Sequence, residues 1–287
     1  MADILGSLNS NQRISMSISS AGSNLFQAGR QTDFFSILPG EVPTPTLYSH
    51  MEPEFNGELN TAVNQMFSNS AFNNLFRRSY SKLFRDSLDA NAEIALALQS
   101  GTPLTTSFAT DPFSQQLQTV ARTIAANQSL GMKRQTFFVE YGGWDHHDEV
   151  INNMNAMLKP LNDGIVAFQS AMQELGMENN VTTFTTSDFA RTLSSNGRGS
   201  DHGWGGNAMI IGGAVKGGNV YGTYPSLALN NPLDTGRGVL MPTTSLDEYF
   251  AEMALWFGVA PNQLSDILPN VNRFYSPSNQ APIGFLV

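Results

Sequence analysis

Residues 136–189 read TFFVEYGGWDHHDEVINNMNAMLKPLNDGIVAFQSAMQELGMENNVTTFTTSDF, and this stretch decides the fold class. A β-prone run at 136–141 is followed by apolar residues at three- and four-residue steps over 151–175, and then by a second β-prone run at 181–187. The order strand, helix, strand predicts two parallel strands joined by a right-handed crossover, with their carboxyl ends at one sheet edge. The stretch therefore predicts an α/β protein.

The helix predicted over 151–175 carries its own signals. Gly176 stands where a glycine ends a helix, and Pro160 and Gly164 are expected to kink the helix or split it in two. The apolar stripe repeats about every 3.5 residues, which is typical of a coiled coil. A single such segment followed by a strand favours packing on a sheet instead.

Patterns on either side extend this scheme into a single α/β domain over residues 1–287, with a mainly parallel sheet flanked by helices. We divide it into a helical segment (57–130), a metal-site core (134–222), and a C-terminal helix and tail (223–287). The Met and Phe stripes of the helical segment are predicted to lie in the core. Further predicted elements are a strand at 14–18, one or two helices at 58–98, a helix at 113–127, a strand at 208–211 followed by a hairpin ending near 220–221, and a helix that begins at a Ser245–Glu248 capping box and ends at Gly258.

Composition excludes several classes of protein. The 287 residues carry a net charge of −9, which repels nucleic acid and anionic lipid, and they include no cysteine for disulfides, thiolate nucleophiles or iron–sulfur clusters. No run of 18 apolar residues and no basic, apolar leader is present, so we expect no membrane span and no signal peptide within the chain.

Three of the four histidines lie in two Gly-rich loops, at 142–148 and 199–203. Ligands of open α/β sheets collect at the carboxyl ends of strands, where such loops converge. Two imidazoles and two carboxylates form a mixed nitrogen and oxygen set that suits a divalent cation such as zinc or manganese. The sequence thus predicts one metal site with four ligands: Asp145, His147, Asp188 and His202.

The same residues also have structural interpretations, which the sequence leaves open. The loop at 142–148 can be a solvated loop in which Asp148 caps the following helix, and Asp188 can form an Asx turn. His202 taken alone is a structural histidine. Arg191 either forms a surface ion pair or binds an anion.

Other kinds of site find less support. The chain has no G-x-S-x-G elbow after a strand and no P-loop or G-x-G-x-x-G fingerprint, so an α/β-hydrolase triad and nucleotide binding are not expected. A carboxylate pair for glycoside hydrolysis stays open, because sequence does not show which acids approach each other. The fourth histidine, His50, is predicted to be uninvolved.

Four motifs, in order along the chain, resemble the family of domain of unknown function 1501 (DUF1501). They are GGWDHH at 142–147, SDFART at 187–192, DHG at 201–203 and VKGGNVYG at 215–222, and the resemblance runs from about residue 14 to 275. It implies a fold of the alkaline phosphatase and sulfatase superfamily. Asp145 and His147 then resemble that superfamily's first pair of metal ligands, Asp188 its strand-end acidic ligand, and His202 its late histidine ligand.

Two departures from the family pattern fall inside the motifs. Asp188 stands where family members usually have Glu, and His146 stands where a small hydroxyl residue is common, which adds a ligand or proton donor. The export signal, first strand and nucleophile loop usual in the family are expected upstream of this chain. The resemblance therefore implies a fold incomplete at its N-terminal strand, an exposed sheet edge suited to a homo-oligomer, and a periplasmic or secreted location.

These observations together predict a metal-dependent hydrolase. The expected substrate is a phosphate or sulfate ester, or a related small-molecule or saccharide ester or glycoside, attacked by a metal-activated water. The ion would be zinc, manganese or calcium, with His146 as acid or base and Arg191 holding an anionic substrate group. The alternative is a non-catalytic protein of the same fold that binds metal or carbohydrate.

Overall fold

The computed structural model describes residues 1–39, 57–58, 61–62, 65–67, 74–277 and 280–287. Residues 57–58, 61–62 and 65–67 are helical, and the rest of the described chain contains six α-helices and seven strands. The helices are α1 (Ala2–Leu5), α2 (Leu75–Ser100), α3 (Pro112–Ala125), α4 (Val150–Glu174), α5 (Leu246–Phe257) and α6 (Leu264–Ile267). The strands are β1 (Ser17–Ser19), β2 (Phe35–Ser36), β3 (Thr136–Phe138), β4 (Thr183–Phe184), β5 (Ala190–Ser195), β6 (Ser200–Gly203) and β7 (Ile210–Ile211).

A small parallel sheet lies at the centre of this mixed α/β fold. β1 is its middle strand, with Ile18 opposite Phe35 of β2 on one side and Phe137 of β3 on the other. Ile18 is buried in a cluster with Ile37 and Ile94. The strands predicted at 14–18 and 136–141 are thus confirmed, although both are shorter than predicted.

The second strand of the predicted crossover takes another partner. β4 pairs antiparallel with β7, β5 pairs antiparallel with β6, and β3 pairs with β1. The ring of Phe26 lies between the two predicted partners, with its centroid 6.4 Å from those of both Phe138 and Phe184. β3 and β4 belong to different sheets, so the prediction that they run parallel with their carboxyl ends at one sheet edge is wrong; the described strands form two parallel and two antiparallel pairs.

The hairpin predicted after β7 is also wrong. Val215 forms an antiparallel bridge with Leu286, close to the C-terminus, instead of pairing with residues 220–221. Leu286 is buried beside Phe285, which has no exposed surface. Burial of these two apolar side chains favours the pairing with the C-terminal segment.

α4 packs on α3 and covers the parallel sheet. Phe168 and Met172 of α4 share a buried cluster with Phe113 of α3, and Phe137 of β3 packs against it. A Cβ at Gly164 would come within 3.0 Å of the Phe113 ring, so the glycine permits the close helix contact. The helix thus packs mainly on another helix, with Phe137 at the edge of the shared cluster, and Pro160 lies inside one continuous helix that it does not split.

α2 is buried along only part of its length. Ile94 and Leu98 in its C-terminal half are buried, whereas Phe76 is 83% exposed and Leu83 is also exposed. A helix of 26 residues spans roughly 39 Å, so its N-terminal half extends beyond the core. The prediction that the whole Phe stripe is core is wrong for this half.

α5 begins and ends as the sequence predicts. Ser245 and Glu248 form the capping box, and Gly258 ends the helix at φ 111°. Glu252 on this helix is 3% exposed and accepts hydrogen bonds from the backbone N–H groups of Ile283, Gly284 and Leu286. Among the described residues, no helix combines the length and apolar character needed to cross a bilayer.

Candidate metal centre

The loop after β3 presents Asp145 and His147 to solvent. Trp144 anchors this loop, because its Nε1 donates to the carbonyl of Tyr141 over 2.6 Å and its ring meets the Tyr141 ring edge-on at 5.4 Å. Tyr141 in turn stacks on Phe113 of α3. The aromatic anchor holds one end of the loop on the core and leaves the next residues at the surface.

The hairpin of β5 and β6 brings up the remaining side chains. Arg191 of β5 is directly opposite His202 of β6 in the antiparallel register, which places their side chains on one face. The His202 ring stacks on Phe189 with centroids 4.2 Å apart and planes 3° apart. This contact fixes the plane of the His202 imidazole.

The two elements meet at a single carboxylate oxygen. Asp145 Oδ1 lies 2.7 Å from Arg191 Nη1, 2.8 Å from His202 Nε2 and 3.0 Å from His147 Nδ1. One ligand atom from each of Asp145, His147 and His202 lies within 4.8 Å of the other two. All three residues are exposed, so a small molecule in solvent can reach them.

The electrostatics of this cluster favour an ionised carboxylate. The hydrogen bond from Arg191 lowers the pKa of Asp145, and the hydrogen bond from His202 and the positive charges of the two imidazoles act in the same direction. A carboxylate that stays ionised is a competent metal ligand at any ordinary pH.

The family model described as Protein of unknown function (DUF1501) matches residues 51–261, which is well over half of the chain. The chain belongs to the DUF1501 family. No curated protein and no solved structure matches it. The matched region of this DUF1501 protein contains the whole cluster around Asp145, whereas β1 and β2 precede it.

The donor set of the DUF1501 cluster fits a divalent cation. Two imidazole nitrogens and one carboxylate oxygen are ligands that zinc takes in sites with three protein ligands. His147 Nδ1 and His202 Nε2 each lie within 3.0 Å of Asp145 Oδ1, and because an ionised carboxylate only accepts hydrogen bonds, each of these nitrogens carries a proton when it bonds to Asp145. Metal binding would use the lone pair of the same nitrogen, so the proton and the ion are alternatives.

Of the other predicted site residues of the DUF1501 chain, Arg191 contacts the group through Asp145, whereas Asp188 and His146 are not members of it. Asp188 is exposed. His146 is 7% exposed, and its Nε2 has no hydrogen-bond partner among the described residues. Glu149, not Asp148, is the N-cap of α4, and it makes no side-chain capping bond. His50 lies outside the described residues.

The sequence did not predict the residues that hold the two parts of the cluster together. Asn196 bonds to the main-chain oxygen of His147 and to Asp201, and Arg237 pairs with the other oxygen of Asp201 at 2.6 Å. The dipeptide Asn196-Gly197 was the available signal, because Asn-Gly is typical of tight hairpin turns. It would have predicted the β5–β6 hairpin of this DUF1501 protein.

Proposed function

We propose that this DUF1501 protein is a metal-dependent hydrolase on a scaffold of the alkaline phosphatase and sulfatase superfamily. Its substrate class would be phosphate or sulfate esters, or related small-molecule or saccharide esters. The observation that supports this proposal is the convergence of Asp145, His147 and His202 from two separate stretches of chain. Location outside the cytoplasm and self-association through a sheet edge stay predictions from the family resemblance.

The proposed chemistry needs a solvent-exposed divalent cation and the three side chains that would hold it. A divalent ion, when bound, polarises an ester oxygen and lowers the pKa of a bound water to about 7. Asp145 supplies the negative charge, and His147 and His202 supply neutral donors. The catalytic role predicted for His146 stays a prediction, since its imidazole is buried and is not a member of the exposed group.

A second candidate is a non-catalytic metal-binding protein of the same fold. It is favoured by one observation, which is that the Asp145 carboxylate is already ion-paired with Arg191. A carboxylate that is already paired with a positive charge binds a cation more weakly. Weak binding is compatible with catalysis, and it also suits a protein that only binds and releases the ion. Activity separates the two candidates.

Metal binding is tested first by stripping the protein with chelator and titrating zinc, manganese and calcium by calorimetry. We expect binding of one ion by the wild type and its loss in Asp145→Asn and His202→Ala. Asp163→Asn is the matched control, because Asp163 is a half-exposed aspartate ion-paired with Lys159 on α4. Equal binding by Asp145→Asn and Asp163→Asn would remove Asp145 from the site.

Hydrolysis is tested with aryl phosphate, aryl sulfate, aryl acetate and aryl glycoside substrates. Turnover by metal-loaded wild type that chelator abolishes and Asp145→Asn lacks supports the hydrolase. Metal binding without turnover on any of the four substrates supports the non-catalytic candidate. Absence of metal binding by the folded protein contradicts both.

A further inference from the structure

The guanidinium of Arg191 lies where it affects every cation that approaches Asp145. Arg191 Nη1 and any ion on the proposed site share the same oxygen, Asp145 Oδ1. The side chain of Arg191 is 24% exposed, whereas that of Asp145 is 51% exposed. The positive charge therefore lies on the protein side of the carboxylate, and the solvent side stays open to an ion.

Arg191 is held in place without help from Asp145. Its Nε donates to Ser200 Oγ over 3.0 Å, and its Nη2 donates to the main-chain oxygens of His146, at 2.6 Å, and of Ser200. The Phe189 ring lies 5.6 Å from the guanidinium carbon on one side. These neutral partners keep the guanidinium beside the ligand set when an ion binds, since none of them depends on the carboxylate.

The one carboxylate of the ligand set already has a cationic partner before any metal ion arrives. Asp145 is the one carboxylate among the three grouped ligands, and it pairs with Arg191. An ion bound to Oδ1 lies about 2 Å from that oxygen. The guanidinium contacts the same oxygen, so the positive charges of the ion and of Arg191 repel each other strongly.

We propose that Arg191 sets the cation affinity of this site by competing with the metal for Asp145. The inference rests on the proposed metal site and concerns its regulation. In the metal-free protein Arg191 holds the carboxylate in a neutral pair; a cation must weaken that pair to bind. The arginine would thus keep the site weak enough to release its ion, and the ion identity and concentration would decide whether the site fills.

The test compares zinc affinities of chelator-stripped proteins by calorimetry with a competing chelator. Arg191→Met removes the charge and is expected to raise zinc affinity at least about tenfold, and Arg191→Lys, which keeps a charge but lacks the guanidinium bonds that hold it beside Asp145, is expected to fall between Arg191→Met and the wild type. Arg198→Met is the matched control, because Arg198 is an exposed arginine on the turn of the same hairpin. It is expected to change affinity by less than about twofold, since exposed charges at a distance are screened.

If Arg191→Met disturbs the hairpin, a zinc titration of the wild type followed by NMR still tests the inference. The Nε–H resonance of Arg191, identified by its absence from the Arg191→Lys spectrum, is expected to shift as zinc is added, because the ion weakens the pairing of the guanidinium with Asp145. A resonance unchanged at zinc saturation, or equal zinc affinities of Arg191→Met and Arg198→Met in folded proteins, would overturn the inference while leaving the metal site intact. Failure of the wild type to bind any of the three metals would instead contradict the proposed function.

Discussion

Asn196 Nδ2 donates a hydrogen bond to the main-chain oxygen of His147 over 3.0 Å, which joins the two stretches of chain that carry the metal-ligand candidates. The same nitrogen donates to Asp201 Oδ1, next to His202. The Asn196 side-chain oxygen accepts from the backbone N–H groups of Arg198 and Gly199. One amide therefore shapes the hairpin turn and attaches it to the loop of His147.

Asn196→Ala should weaken the metal site without removing a ligand. Loss of residues that orient metal ligands typically costs roughly 10- to 100-fold in affinity, and we expect zinc affinity to fall by about tenfold. Asn219→Ala is the matched control, since Asn219 also donates from Nδ2 to two main-chain oxygens, those of Lys216 and Gly217. Calorimetry that gives the same zinc affinity for both variants would exclude the positioning role of Asn196.

Gly199→Ala should force the same two stretches apart. A Cβ at Gly199 would lie 2.7 Å from the carbonyl carbon and oxygen of His147, and backbone atoms cannot rotate away as a flexible side chain can. We expect a loss of about 1–3 kcal/mol in the free energy of unfolding and weaker zinc binding.

Gly217→Ala is the control for this substitution. The nearest atom to a Cβ at Gly217 is the oxygen of Val215 at 4.0 Å, and the backbone is not left-handed there. Urea unfolding should show little change for Gly217→Ala, and a similar loss of stability in both variants would mean that the close approach at Gly199 is not the cause.

Local signals predicted most of the helices correctly, because helix ends depend on residues a few positions apart. The capping box of Ser245 and Glu248 and the glycine after α5 are examples. Strand pairing was predicted less well. β3 pairs with β1 and β4 pairs with β7, and both partners lie outside the stretch 136–189, so no local pattern within that stretch contains this information.

The candidate site also has parts that local sequence predicts and parts that depend on distant strand pairing. Asp145 and His147 are two residues apart on a Gly-rich loop, and the sequence predicted that they meet His202. The register that places Arg191 opposite His202 depends on the hairpin, which was not predicted, so the ion pair of Arg191 with Asp145 stayed one of two alternatives. Asp188, the fourth predicted ligand, is not a member of the group of three.

Acid should weaken the attachment of the loop before α3 to α4. Glu174 accepts from the backbone N–H groups of Thr105 and Thr106 and from the Thr106 hydroxyl. These bonds, with that from the Thr105 backbone the strongest, lower the pKa of Glu174 from 4.5 to about 2. Because the folded pKa lies below the unfolded one, the stabilisation is fully present above about pH 5 and is lost as pH falls toward 2.

Glu174→Gln should therefore be less stable than the wild type at pH 7, and the difference should shrink between pH 5 and pH 3. Urea midpoints at pH 7, 5, 4 and 3 measure it. Glu140→Gln, which removes an exposed carboxylate after β3, is the control for a general charge effect. A difference between Glu174→Gln and wild type that stays constant with pH would mean that ionisation of Glu174 does not stabilise the fold.

Glu252→Ala should release the C-terminal segment from α5. The buried carboxylate accepts hydrogen bonds from the N–H groups of Ile283, Gly284 and Leu286 at 2.7, 2.5 and 2.8 Å. Phe285, which precedes Leu286 in this segment, is fully buried. Leaving a buried donor unpaired costs roughly 1–3 kcal/mol, and the Leu286 N–H is the buried one of the three, so we expect a loss of about 1–3 kcal/mol in the free energy of unfolding. Faster hydrogen exchange at these three amides is the direct measurement. Asp266→Ala removes an exposed acid on α6 and should leave their exchange unchanged; unchanged exchange in Glu252→Ala as well would show that Phe285 burial alone holds the segment.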